Sequence, residues 1–199
     1  MQAIEALTTR VSAGGLTEPA PDDTALMTIL GAAARAPDHG RLRPWRFVIV
    51  RGDARKRLGD LMAATLRKRM PELPDGQLER EKAKPLRAPL IVAVCCKVDA
   101  QNRIPAFEQI LSAAAAAQNI MVAAHALGFG CAWKTGDAAY DPEVKAAFGL
   151  GPADAIVGFM YLGTHAKGRP PLTPIDPRDY VVDWSGAGEH ALAGASSGG

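Results

Sequence analysis

Basic side chains stand at several places where the sequence predicts that a helix or strand begins or ends. Guanidinium and ammonium groups at such places suit a planar ligand that carries phosphate, because they pair with the anion while nearby apolar walls cover the ring. The residue types alone therefore predict a site for a phosphorylated aromatic cofactor. The basic residues at element ends are Arg10, Arg35, His39, Arg41, Arg43, Lys134, Lys167 and Arg169.

The sequence contains no signature of a metal site or of a familiar nucleophile. Its four histidines, His39, His125, His165 and His190, have no metal-ligand spacing to one another or to a cysteine. No Walker loop, G-x-S-x-G elbow or G-x-G-x-x-G turn occurs, and Gly128-Phe-Gly130 is too short to be a dinucleotide fingerprint. We therefore expect no metal, and we interpret His125, in the middle of a predicted helix, as structural.

Length, charge and cysteine content limit the classes of protein to which the chain can belong. Its 199 residues suffice for one full core, and a formal net charge of +2 gives no reason to expect nucleic acid or a membrane surface as partner. The basic helix predicted over residues 51–69 lacks interleaved aromatic residues, so we interpret it as a solvated face. Cys95, Cys96 and Cys131 lie in apolar runs, which indicates buried thiols in a reducing compartment. Because the first ten residues do not form a signal peptide, we expect a cytoplasmic protein.

The segment from Phe107 to Thr135 is the most distinctive part of the sequence. No Asp, Glu, Lys or Arg occurs between Glu108 and Lys134, and residues 113–117 are all alanine, so we predict a long helix buried on nearly every side. About twenty helical residues span roughly 30 Å, which is also the width of a bilayer core. Scattered polar residues and missing aromatic belts argue against a membrane span. Small side chains instead suit the centre of a domain or a contact between subunits, because neighbouring backbones can approach closely.

Helical and extended patterns alternate on both sides of this segment. We predict helices over 4–9, 24–35, 53–69 and 142–148, strands over 45–50, 89–97, 129–134 and 155–163, and a last edge strand over 180–184. Prolines between residues 70 and 87 indicate a mobile segment, and those between 167 and 177 indicate an extended chain lying over a surface. We expect one α+β or α/β domain over 1–184, with one sheet layer between helices, and a disordered tail over 185–199.

Five short motifs follow one another along residues 4–164. They are Arg10-Val11-Ser12 before a proline-rich helix start, Arg35-Ala-Pro-Asp-His39 leading to Pro44-Trp45-Arg-Phe47, Ala-Gln118-Asn119, Gly128-Phe-Gly130-Cys-Ala-Trp133, and Val157-Gly158-Phe159 with Leu162-Gly163-Thr164. Each motif is short, but in this order they resemble the nitroreductase family. The likeness is greatest to its small, single-domain branch of NAD(P)H nitroreductases, which carry the Ala-Pro-Asp-His loop.

This resemblance implies a fold and an assembly. The fold is of α+β class, with a central, mainly antiparallel sheet, helices on both faces and a long buried Ala-rich helix. The assembly is a homodimer that binds two FMN molecules at the subunit interface, with the Ala-rich helices near the dimer axis. The C-terminal extension is exchanged with the partner subunit, which agrees with the extended proline-rich segment inferred from composition.

The resemblance also assigns residues to FMN. Residues 10–12 match the phosphate-binding motif, residues 35–39 match the loop that reaches the flavin of the other subunit, and residues 133–135 match the segment that lies along the ring. The side chains carried over in this way are Arg10, Val11, Ser12, Arg35, His39, Trp133, Lys134 and Thr135.

Two parts of the family pattern differ here. Val11 replaces the middle arginine of the phosphate motif and Gly14-Gly15 replaces its later arginine, so Lys167 or Arg169 could supply the missing contact. Many relatives carry amide side chains before Pro-Trp, where this chain has Asp38 and two arginines. These arginines could stabilise the anionic reduced flavin or could face solvent. They are Arg41 and Arg43.

Structural roles for the same side chains stay open. Without the resemblance, Arg10 could be a solvated surface residue and Arg35 a partner of a helix dipole. His39 could bond its own loop backbone, and Trp133 could belong to the core with its N–H satisfied.

The implied activity is reduction of nitroaromatic, quinone or similar planar acceptors by NADH or NADPH, with ping-pong kinetics. No catalytic side chain is required, because flavin N5 carries the hydride. Two alternatives stay open. One is a flavin enzyme of the same fold with different chemistry, such as enone reduction, dehalogenation or flavin fragmentation. The other is a non-enzymatic FMN carrier or sensor.

Overall fold

Helices and strands alternate along the chain in the computed structural model, which describes residues 1–184. The helices are α1 Ala3–Thr9, α2 Asp23–Ala33, α3 Asp53–Arg69, α4 Asp75–Lys82, α5 Ala106–Ala126 and α6 Pro142–Ala147. The strands are β1 Leu16–Thr17, β2 Trp45–Arg51, β3 Leu90–Cys96, β4 Gly130–Lys134 and β5 Ala155–His165. Every predicted helix, and every predicted strand except the last, is confirmed to within a few residues at each end. The tail predicted to be disordered, 185–199, lies outside the described residues.

The five strands form one sheet whose strand pairs are all antiparallel. The strands lie in the order β1-β5-β3-β2, and β4 also pairs with β5. All seven residues of β3 are buried, because both faces of this strand are covered by helices. The predicted α+β class with a mainly antiparallel sheet is therefore confirmed. Strand β1 escaped prediction because two residues are too few to show a strand pattern.

Helices α2 and α5 cover one face of the sheet. Ala113, Ala116 and Ala117 of α5 have no accessible surface. Their short side chains let α5 lie close to the sheet and to α2, and the Asn119 side chain donates a hydrogen bond of 3.0 Å to the Ala32 carbonyl. This half of α5 is buried, as the sequence predicted.

The other side of α5 is not covered within one chain. Phe107 is 68% exposed and Leu111 is 50% exposed, and Gln118 on the same side is exposed as well. The expectation of burial on nearly every side is therefore wrong for the single chain, because no described element packs over this stripe. Between residues 1 and 184, no helix combines the length and apolar character needed to cross a membrane.

Helices α3 and α6 cover the opposite face of the sheet. Leu58 and Met62 of α3 and Val144 of α6 belong to one buried cluster with Ile91 and Phe159 of the sheet. The helices on this face do not reach its whole width, and the space left beside β4 and β5 contains the site described below.

Residues 70–87, predicted as a mobile segment, contain helix α4 and a 3₁₀ turn over Lys84–Arg87. Pro74 is the N-cap residue of α4, a place where proline starts a helix instead of breaking it. Helix α4 packs on α3 at Gly59, where a Cβ atom would lie 2.1 Å from the Lys82 carbonyl oxygen. The segment is therefore folded, and it is fixed to α3 by a close helix contact.

The C-terminal segment is extended, as predicted, but it forms no final strand. A 3₁₀ turn covers Pro177–Tyr180, and residues 181–184 have no regular structure. The edge strand predicted over 180–184 is thus wrong for the described chain. The apolar alternation that suggested it is present, but Tyr180, Val181 and Trp184 are exposed and no strand lies beside them.

Candidate functional site

A groove of about 360 Å³, here called the ring groove, opens on the α3 side of the sheet. One wall is backbone and small side chains, the floor includes the Tyr161 ring and Met62, and three cations stand around them. A planar aromatic ligand could lie along the backbone wall with positive charge at its edge. The groove is lined by residues 13–16, residues 134–136, Met62, Lys84, Arg87, Ala132 and Tyr161.

A second cavity of about 490 Å³, here called the tail cleft, adjoins the ring groove. Residues 166–169 with Pro170 and Pro171 form one side of it, and this side brings Lys167 and Arg169 to the cleft. Gly14 and Gly15 line both cavities, so the two adjoin at these residues and are here together called the depression. One end of the depression suits a ring, and the other end is basic.

The N-terminal motif runs alongside β4. Ser12 forms an isolated parallel bridge with Cys131, and the Ala13 N–H donates to the Cys131 carbonyl at 3.0 Å. Val11 is half-buried and Ser12 is exposed. Because β4 continues into residues 134–135 in the ring groove, the structure brings together the two predicted segments that lie farthest apart in sequence.

Arg10 is not among the residues that line either cavity, but it carries a buried, unsatisfied donor. Its Nη1 atom is buried and has no hydrogen-bond partner in the described part of the chain. Arg10 and Arg169 both act on His125, since burial and then these two charges lower the pKa of that imidazole. A buried guanidinium N–H without an acceptor is unfavourable, so the surroundings of Arg10 fit an anionic group such as a phosphate.

Three groups of the ring groove were missed in the sequence. Lys84 and Arg87 come from the turn after α4, and Lys84 is ion-paired with Glu81. Tyr161 comes from β5, and burial raises its pKa to about 12 while the nearby Arg87 charge opposes the rise. Its hydroxyl is therefore protonated at neutral pH and can donate. Lys84 and Arg87 immediately precede the buried strand β3, so the rule that identified the other basic residues would have found them, had residues 70–87 not been interpreted as mobile.

The predicted segment 133–135 divides between the two faces of the sheet. Lys134 and Thr135 are exposed and line the ring groove. Trp133 packs with the α5-side core, because successive residues of a strand point to opposite faces. Its Nε1–H donates to the Val157 carbonyl at 3.2 Å, and the absent side chain of Gly158 leaves room for the indole. The Trp133 side chain therefore occupies the core position that the sequence left as an alternative.

The four predicted residues of the loop after α2 do not line the ring groove or the tail cleft. His39 lies in a shallow cavity at the start of α5, where its Nδ1 is 2.6 Å from Glu108 Oε2. Arg41 and Arg43 have left-handed backbone conformations with φ of 56° and 48°, and both are exposed. Arg35 is exposed too. These residues therefore cannot contact a ligand bound in either cavity of their own chain.

The three cysteines do not take part in the site. Cys95, Cys96 and Cys131 are buried and form no disulfide. Burial raises the pKa of the first thiol to about 12 and of the second to about 11. These thiols are protonated at neutral pH and unreactive. Across residues 1–184, no three His, Cys, Asp or Glu side chains are grouped so that they could hold a metal ion.

Known proteins share both sequence and fold with this chain. Residues 10–164 match the sequence family described as "Nitroreductase family". A protein of Escherichia coli (strain K12) named "Putative NAD(P)H nitroreductase YdjA" is 37% identical over 183 residues, which cover 92% of this chain and 99% of that protein.

Two solved structures illustrate the likeness of fold. The nitroreductase-like family protein from Bacillus cereus superposes with a TM-score of 0.77 at 23% identity, covering 93% of this chain and 97% of that one. The FMN and NADPH-dependent nitroreductase NfnB from Sphigopyxis sp. strain HMH superposes with a TM-score of 0.73 at 21% identity, covering 94% of this chain and 100% of that one. With a family match over most of its length and a relative of the same size, this chain belongs to the nitroreductase family.

Proposed function

We propose that this chain is an FMN-dependent NAD(P)H oxidoreductase that reduces nitroaromatic, quinone or similar planar acceptors. The observation that carries the proposal is the pair of cavities that adjoin at Gly14 and Gly15, a ring-sized groove and a cleft lined by Lys167 and Arg169. The unpartnered Arg10 nitrogen supports it, because a buried cation without an acceptor suits a phosphate. The names of relatives support it further, since one is named as an NAD(P)H nitroreductase and another is described as FMN and NADPH-dependent.

The residues of the chain divide the work between the two ends of the depression. Arg10, Lys167 and Arg169 hold the phosphate end. Lys84, Arg87 and Lys134 of the ring groove surround the ring with positive charge, which favours the negative charge that develops when it is reduced. Bound FMN supplies the redox chemistry, accepting hydride from NADH or NADPH and passing electrons to the acceptor.

Ping-pong kinetics belong to the proposal. Because the buried residues of β4 and β5 close the ring groove from below, donor and acceptor reach a bound ring from the same open side and must occupy it in turn. The side chains limit access and exclude water on the sheet side. They need not supply a general acid, since water reaches the open side.

We also propose that the active form is a homodimer. The open stripe of α5, with Phe107 and Leu111, is an apolar surface of the kind that packs against a second subunit. The C-terminal segment exposes Ile175, Tyr180 and Trp184, which gain burial if the segment is exchanged with the partner. Strand β2 has a single strand neighbour in the described sheet, so its other edge can accept such a segment.

A dimer would also give a role to the loop after α2. His39, Arg35, Arg41 and Arg43 lie outside the depression of their own chain, and we propose that they act on the flavin of the other subunit. The three buried, unpaired thiols support a reducing compartment, and we propose the cytoplasm.

The test is a purified full-length chain examined by visible spectrum, size-exclusion chromatography and steady-state kinetics. We expect a yellow dimer that oxidises NADH or NADPH with a nitroaromatic or a quinone and gives parallel double-reciprocal plots. A colourless protein that ignores added FMN would overturn the flavin assignment. Flavin binding without NAD(P)H oxidation by any acceptor would identify a carrier or sensor instead, and intersecting plots would exclude ping-pong kinetics.

A further inference from the structure

Two buried nitrogen atoms have no hydrogen-bond partner within residues 1–184, and both belong to residues whose charges act on His125. One is Nη1 of Arg10 and the other is Nδ1 of His165. Buried polar groups are nearly always satisfied in folded proteins, so two exceptions in one place indicate that a ligand completes them. A guanidinium can only donate, so the missing group has to include an acceptor.

The His165 ring is held by packing at the end of β5. In the sheet, His165 pairs with Leu16 of β1. A Cβ atom on Gly130 would lie 3.1 Å from both Cε1 and Nε2 of the ring, so the imidazole rests directly on the backbone of β4. The residue that follows it, Ala166, lines the tail cleft together with Arg169. His165 therefore stands beside the cleft in a fixed orientation.

The charges around this histidine are mostly positive. Arg169 of the C-terminal segment acts on His165, and Arg169, Arg10 and His165 act on His125 of α5. Among residues 1–184, Glu5 of α1 is the one acidic group that acts on this pair of histidines. Of the neighbouring thiols, Cys131 of β4 is protonated, because burial raises its pKa to about 12 against the effect of Arg10.

In the ligand-free chain both histidines are neutral at neutral pH. Burial, and then the Arg169 charge, lowers the pKa of His165. Burial, and then Arg169, Arg10 and His165, lowers the pKa of His125, and Glu5 opposes this shift. The two histidines differ in their bonding, because His125 Nε2 lies 2.9 Å from the Thr9 hydroxyl whereas His165 Nδ1 has no partner. Of the two histidines, His165 therefore has the nitrogen atom, Nδ1, that is free to bind a ligand.

We infer that His165 binds the phosphate of FMN together with Arg10, and that it takes up a proton from solvent when the phosphate binds. This inference rests on the proposed function, and it adds His165 to Arg10, Lys167 and Arg169 at the phosphate end. While it is neutral, the imidazole adds no repulsion to the cations of the pocket before a ligand binds. Once the phosphate dianion is present, the protonated imidazole adds a second charge-assisted donor.

The sign of the pH dependence follows from linkage. The pKa of His165 lies below its ordinary value without ligand and rises when a dianion lies beside it. Between these two values FMN binding takes up a proton, so affinity increases as pH falls, by up to about tenfold per pH unit for one proton. At lower pH the phosphate itself loses charge, with a second ionisation near about pH 6, so the window to examine lies above this value.

The experiment measures flavin binding, not turnover. The full-length chain is freed of flavin and titrated with FMN and with riboflavin, following flavin fluorescence, at several values between about pH 6.5 and 8.5. Calorimetry in two buffers with different ionisation enthalpies counts the protons taken up. We expect FMN affinity to rise towards lower pH with net proton uptake, and riboflavin affinity to stay constant.

Two matched variants locate the proton. His165→Gln should abolish proton uptake and flatten the pH profile for FMN, whereas His125→Gln should keep both, because the Thr9 hydroxyl already satisfies that ring. If proton uptake were lost in His125→Gln but kept in His165→Gln, the assignment to His165 would be overturned. Should His165→Gln fail to fold, the wild-type proton count decides, since FMN binding without uptake overturns the inference and leaves the proposed function standing. If wild-type protein binds no FMN at any pH, the proposed function itself fails.

Discussion

The two faces of the sheet are built from the same strands but are filled in different ways. On the α5 face, alanines without accessible surface bring a helix close to the strands and leave no charged group inside. On the α3 face, the chain crossing at residues 13–16 and the turn after α4 leave a groove with three cations around it. Close packing on one face fixes the strands, and incomplete packing on the other provides space for a ligand. The site thus lies where the core packing ends, on the face of the sheet opposite α5.

The α5 face should not tolerate a charge. Ala117→Asp places a carboxylate where no surface is accessible, among the apolar side chains of the core, so we expect the free energy of unfolding to fall by more than about 3 kcal/mol, or the chain not to fold. Ala64→Asp, at an exposed position of α3, should change it by less than about 0.5 kcal/mol. Urea denaturation measures both, and equal effects would mean that the α5 face is not the rigid side.

The basic end of the depression should depend on Arg10. Arg10→Ala removes a charge-assisted partner of a desolvated phosphate, which is worth about 1.5–3 kcal/mol, so FMN affinity should fall by roughly 10- to 150-fold. Riboflavin affinity should change little. Arg57→Ala on the exposed side of α3 is the matched control and should bind FMN normally. Unchanged FMN affinity in Arg10→Ala, measured by fluorescence titration, would remove Arg10 from the site.

The ring end should respond differently. Replacing Lys84 and Arg87 together by alanine removes positive charge near the ring, and we expect FMN and riboflavin affinity to fall by a similar factor, about tenfold. Arg80→Ala on exposed α4 is the control. An effect on FMN but not on riboflavin would show that these cations act on the phosphate, and the division of the depression into two ends would then be wrong.

The smallest effect is expected at Trp133. Trp133→Phe removes the hydrogen bond to the Val157 carbonyl and should lower the free energy of unfolding by about 1 kcal/mol, while FMN affinity stays within about twofold. Thermal unfolding and flavin titration of the same sample check both quantities. A tenfold loss of flavin affinity without loss of stability would return Trp133 to the cofactor site and contradict its placement on the α5 face.

Much of the fold could be predicted from the sequence, because long apolar runs and helical spacing are local signals. Strands β2 to β5 and helix α5 were identified in this way. Helix α4 was missed because prolines were interpreted as breakers, although Pro74 stands at a helix start. The strand over 180–184 was predicted from alternation alone, but a strand also needs a neighbour, and the described chain offers none there.

The candidate site could be predicted only in part, for a related reason. Lys134 lines the ring groove and Arg169 lines the tail cleft, as expected from their positions at the ends of elements. The side of the sheet to which Trp133 points depends on the register of β4, which sequence patterns do not give. His39 and the arginines beside it lie outside the depression of their own chain, so a single sequence contains no signal for what they face.

The contact between α4 and α3 at Gly59 has a consequence for how enzymes of this kind diversify. A side chain at this position would collide with the Lys82 carbonyl, so α4, and with it the turn carrying Lys84 and Arg87, would have to shift relative to α3. The ring groove would change shape although every residue that lines it stayed the same. The shape of this groove can therefore evolve, or be engineered, from a buried helix crossing that does not line it.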